Sequence, residues 1–244
     1  MTGGPPDEEL QQAAAESLLQ DDEVLRQHAE RLLRSDGKHA VLSFTRAWLG
    51  LDALASLQKD DVTFPSWTPD LREAYAAEIE AFVTDVFFED ATPTFAQLFS
   101  RRQSRIQEPL AALYDVPGLD FSAGEATIEH LADERAGVLT LAGVQALLAK
   151  SDQNSPIARG VFIRERILCE PLPPPPDDVP IIPPDVDPDA TTRERFAAHT
   201  ENPSCASCHW LIDPIGFGFE HYDALGRYRS AKNRFPVDAS GEVL

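Results

Sequence analysis

The residues with the most specific chemical meaning in this sequence are Cys205-Ala206-Ser207-Cys208-His209. Two thiols stand about one helical turn apart, and an imidazole follows the second one directly. That pattern suits a c-type haem: each thiol adds across a vinyl group of the porphyrin, and the adjacent histidine meets the iron as proximal ligand. On this reading Cys205 and Cys208 hold one haem c covalently and His209 ligates its iron.

The sixth iron position is open to several claimants. The usual methionine is not available, because the sequence has one methionine and it is Met1. His199, His221, a water or an open position remain. A bis-histidine iron would have a lower potential than a Met/His one, whereas an open position would admit small-ligand or peroxide chemistry. Carrier or enzyme turns on that choice. Arg227, Arg229, Lys232 and Arg234 cluster near the end of an otherwise acidic chain. Arg227 and Arg229 are the candidates to pair with the haem propionates, against a solvated tail or internal ion pairs.

Two rival chemistries use the same cysteines. His199, Cys205, Cys208 and His209 are ligand types that zinc takes tetrahedrally, although the adjacent Cys208 and His209 would reach one ion with poor geometry. A CxxC redox pair would sit at a strand-to-helix junction, and no strand pattern precedes Cys205.

The elements that must position these groups read as helices. Apolar residues recur at helical spacing and period-two alternation is nearly missing, so the fold is expected to be mainly α. Helical patterns run from Pro5 to about Leu19, along Val24–Leu33, and again after Ser35-Asp36-Gly37 with Val41, Phe44, Trp48 and Leu54. Thr68 caps a long helix with Pro69 at its first position, and Leu71, Tyr75, Ile79, Phe82, Val83 and Val86 form its apolar face. Glu78 and Glu80 lie two apart on it, face different directions, and read as solvated. Shorter helices are expected from Thr94 to about Arg105, over 109–114, 139–149 and 157–169, with 119–134 irregular and His130 unplaced. Cys169 reads as a small buried hydrophobe.

Residues 171–190 form a Pro-rich connector, holding nine of the chain's twenty prolines. Such a run has few amide donors and a polyproline II preference. The haem-binding segment, 191–244, follows: a RERFAAHT helix ending before the CxxCH motif, then an expected tight loop at 213–219, whose glycines would permit close approach of a flat cofactor.

The chain has 244 residues, enough for one large or two small domains, and a formal net charge of -20. That charge, with no basic stripe to offset it, argues against a nucleic-acid partner. No run is long and apolar enough for a membrane span. The haem motif predicts a periplasmic or secreted location, yet residues 1–20 show no signal peptide. Either the chain is part of a longer exported protein, or the motif is not filled in it.

Several phrases together resemble one family. They are Arg135-Ala136-Gly137-Val138-Leu139-Thr140, Ser155-Pro156-Ile157-Ala158-Arg159-Gly160, the Pro-rich run, Arg193-Glu194-Arg195 with His199, and the CxxCH leading into Asp213-Pro214-x-Gly216-Phe217. Tyr222-Asp223-x-x-Gly226-Arg227-Tyr228-Arg229 completes the set. The chain is similar to the planctomycete-type secreted cytochrome-like proteins, which are built from consecutive domains of unknown function. The resemblance implies a partial helical domain over 1–133 and a cytochrome-like domain over 134–244. It also implies an exported c-type haem protein with an unidentified redox partner, and a chain truncated at both ends relative to the family architecture.

Overall fold

In the computed structural model of the chain, residues 4–173, 190–199, 203–232 and 234–243 are described, with backbone alone at 197–199, 203, 204 and 207. About 52% of the protein is helix and 7% strand, so the fold is mainly α. Most of the Pro-rich connector, residues 174–189, lies outside the described residues.

The centre of the core is α3 (Pro69–Thr84). The Thr68 side chain accepts from the Leu71 amide at 3.1 Å, and Pro69 follows without an amide to lose. Leu71, Ala74, Tyr75, Ile79, Phe82 and Val83 are almost fully buried, so the helix is enclosed on most of its circumference. Its N-terminal half packs against Ile106, Leu110, Ile128 and Leu225, and its C-terminal half against Leu49, Leu98, Leu141 and Val144. Both clusters therefore mix residues from the two halves of the sequence. The Tyr75 hydroxyl donates to the Leu225 carbonyl at 2.7 Å, which ties the halves directly.

Before α3 come α1 (Glu8–Ala15) and α2 (Asp22–Leu49). The expected break at Ser35-Asp36-Gly37 is helix throughout. Asp21 caps the start by accepting from the Glu23 and Val24 amides, and Gly50 ends it at φ 68°. An internal glycine costs about 1 kcal/mol against alanine, less than nucleating a second helix. After α3 a π-helical turn spans Asp85–Glu89. The expected helix over 94–105 is only α4 (Gln97–Ser100), and the chain then enters β1 (Gln103–Ile106). Following α5 (Glu108–Ala111), β2 (Ala126–Glu129) pairs antiparallel with β1, Gln103 opposite Glu129. This ribbon has only two inward positions on β1, Ser104 and Ile106, too few to register as alternation.

In the second half α6 (Ala142–Leu147) packs on α3 so closely that a Cβ at Gly143 would stand 2.7 Å from the Tyr75 Cβ. Then come α7 (Pro156–Phe162), with a π-helical turn at Ile163–Ile167, α8 (Thr192–His199) and α9 (Pro203–Phe217). A two-residue ribbon of β3 (Ala231–Lys232) and β4 (Phe235–Pro236) closes the fold. Cys169 is exposed, at φ 58°, beyond the π turn. The apolar run that suggested its burial ends before it. Among the described residues no helix is long and apolar enough to cross a membrane.

Candidate functional site

The whole of Cys205–His209 lies inside α9, and so does Asp213–Phe217, where a loop was expected. Cys205, Cys208, His209 and Asp213 stand at i, i+3, i+4 and i+8, which places them along one side of the helix. Cys205 and Cys208 are half-buried, and neither is in a disulfide.

Gly216, one of the two glycines expected to admit a flat cofactor, does something else. A Cβ at Gly216 would overlap the Pro156 carbonyl oxygen, and one at Gly160 would overlap the Ile212 carbonyl oxygen. Two backbones approach at these points, so α7 and α9 cross in near contact. Arg164, in the π turn after α7, donates to the Leu211 carbonyl at 3.0 Å. Pro214 sits within α9 and has no amide, so the Trp210 carbonyl lacks its usual helical donor.

His209 and Asp213 form the best-defined polar contact of the motif. The Nδ1 of His209 is 3.0 Å from each Asp213 carboxylate oxygen. Both side chains are largely buried, 13% and 9% exposed. With Nδ1 donating to the carboxylate, ligation falls to Nε2.

His209 also lines a cavity of about 620 Å³ between α8, α9 and residues 240–242. The size suits a bound organic group. Phe196 and Phe217 meet edge-to-face in its wall, 5.9 Å between ring centres, and Trp210 is 65% exposed at its edge. Cys205 and Cys208 lie on the same helix but not among the lining residues. Arg193 is a cation in this wall: it lies 4.4 Å over the Phe217 ring and pairs with Asp238 at 2.9 Å. The sequence placed Arg193 in a family phrase and gave it no function, because nothing local connects α8 to the motif.

The other candidates sit elsewhere. Arg229 pairs with Glu220 at 3.2 Å, and burial pushes its guanidinium pKa down. Arg227 is exposed, its amide donating to Asp223 at 2.9 Å. Neither lines the cavity. His221 donates from Nδ1 to the Arg229 carbonyl at 2.8 Å and stacks on Tyr228. The His199 side chain lies outside the described residues. Among the described residues no group of three or more His, Cys, Asp or Glu is placed to hold a metal ion.

A second polar cluster was not foreseen. Glu78, read as solvated, is 1% exposed. Its carboxylate accepts from Ser104 Oγ at 2.9 Å and from the Tyr114 hydroxyl at 2.7 Å. His130 Nε2 lies 2.9 Å from the same Ser104 Oγ. Burial pushes the Glu78 carboxyl up to about 7 and the His130 imidazole down to about 4. The cluster bolts the β-ribbon to α3. Glu80, two residues on, is half-exposed and pairs with Arg46 at 2.8 Å.

Residues 1–116 match a family described as protein of unknown function (DUF1592), PSD4. Residues 135–232 match a second, protein of unknown function (DUF1588), PSCyt3. No curated protein and no solved structure matches the chain.

Proposed function

From a chain that carries two consecutive domains of the planctomycete cytochrome-like family, we propose that the protein is a c-type haem-binding protein and serves as a mono-haem electron-transfer module. The observation that carries this reading is the arrangement on α9. Two half-buried thiols precede an imidazole whose Nδ1 is held 3.0 Å from a buried carboxylate. The thiols supply covalent attachment and His209 Nε2 the proximal bond. Phe196 and Phe217 keep water from one side of the site, and Arg193 is the propionate partner best placed on the cavity wall, ahead of Arg227 and Arg229. Bound haem supplies one-electron exchange between Fe(II) and Fe(III), at a potential set by axial ligands and burial.

The location that goes with covalent haem attachment is periplasmic or secreted, and the redox partner belongs to that compartment. Metal analysis of the chain made in the cytoplasm and in the periplasm, alongside the haem-maturation machinery, tests the reading. One iron per chain in the periplasmic material alone is expected. Iron-free protein from both would overturn it, and zinc in both would favour the tetrahedral site.

A second reading of the same site is a haem enzyme of peroxidase or oxygenase type, which requires an open sixth iron position; the His199 side chain, a candidate for that position, lies outside the described residues. High-spin spectra with rapid cyanide binding would support an open iron; a low-spin six-coordinate spectrum would support the carrier.

A further inference from the structure

The contact between His209 and Asp213 does more than hold a helix together. An exposed i, i+4 ion pair contributes little to stability, and a pair of that kind would need no further explanation. Instead both side chains are largely buried, and the two carboxylate oxygens stand equally at 3.0 Å from Nδ1. A charge-assisted donation between two largely buried groups fixes both the ring orientation and the tautomer. The helix is immobilised around Asp213 in turn. The residue before it, Ile212, presses its carbonyl on Gly160, and Gly216, one turn on, presses on the Pro156 carbonyl. Asp213 therefore stands where α9 is clamped to α7.

We propose that Asp213 is the positioning residue of the site: its carboxylate sets His209 in the Nδ1–H tautomer, strengthens Nε2 as an iron donor, and lowers the reduction potential of the bound iron. The second half of this rests on the haem-binding reading; the tautomer does not. A carboxylate behind a ligating imidazole pushes electron density towards the metal and so favours Fe(III) over Fe(II). Asp213→Asn keeps an acceptor for Nδ1–H and removes the charge, whereas Asp213→Ala removes both.

The test has two arms. In protein made without haem and labelled with nitrogen-15 at histidine, long-range nitrogen–proton correlation reports the tautomer of His209. The wild type and D213N should show Nδ1 protonated, and D213A should move the proton to Nε2. In haem-loaded protein, redox titration should place D213N at a more positive midpoint than the wild type. A D213A imidazole still protonated at Nδ1, or equal midpoints for haem-loaded wild type and D213N, would overturn the proposal. If the wild type takes up no haem, the haem-binding reading and the potential claim fall together, and the tautomer arm still decides the positioning of His209.

Discussion

Gly160 and Ile212 meet backbone to side-chain position: a methyl group on Gly160 would overlap the Ile212 carbonyl oxygen. The crossing of α7 and α9 depends on that contact, and the CxxCH motif rides on α9. Alanine in place of a helical glycine ordinarily gains up to about 1 kcal/mol of helix propensity. Here overpacking of about 1–3 kcal/mol opposes it. Gly160→Ala is expected to lower the urea midpoint and to reduce haem incorporation with it. An unchanged or raised midpoint would show that the two helices separate without cost.

Arg159 lies one residue from that contact and is fully buried. Its Nη1 donates to the Phe219 and Tyr222 carbonyls at 2.8 and 2.9 Å, and its Nη2 to the Asp223 carbonyl at 3.1 Å. Burial pushes the guanidinium down to about 10, still charged at neutral pH. Arg159→Ala would strand three acceptors, so a loss of about 3–5 kcal/mol is expected by denaturant unfolding. Arg159→Lys should recover part of it, since an ammonium cannot reach all three from one position.

Glu78 and His130 give the protein two opposed pH trends. Folding raises the Glu78 pKa from 4.5 to about 7, so between these values the folded state binds the extra proton. That contribution to stability is present at the acid end and fades as pH rises through the window. Folding lowers the His130 pKa from 6.5 to about 4, so there the unfolded state binds the extra proton and stability is lost as pH falls. Each trend alone is on the order of 3 kcal/mol. Relative to wild type, Glu78→Gln should lose stability more steeply on acidification below about 6.5. His130→Gln should gain stability on acidification below about 7. Urea unfolding at pH steps across the window checks both, and parallel profiles for all three proteins would contradict the pairing.

What could be read from the sequence was what is encoded locally. The Thr68-Pro69 cap, the apolar face of α3 and the CxxCH spacing each lie within a few residues, and the mainly α fold follows from their periodicity. The use made of Glu78 was illegible, because its partners Ser104 and Tyr114 are 26 and 36 positions away. Gly216 reads locally as a loop or cofactor glycine and Gly160 carries no local signal, since only the helix crossing gives them their purpose. Arg193 reaches the cavity through the packing of α8 beside α9, a relationship no local pattern carries.

Covalent attachment of haem on α9 is read directly by absorbance and intact mass after denaturation. The chain is made in the periplasm with haem-maturation machinery, unfolded, and measured as its reduced pyridine complex. One haem per chain is expected to stay attached through unfolding and to disappear in the Cys205→Ser/Cys208→Ser double variant. A wild-type chain with no haem band, or one whose haem washes away in denaturant, would contradict covalent attachment.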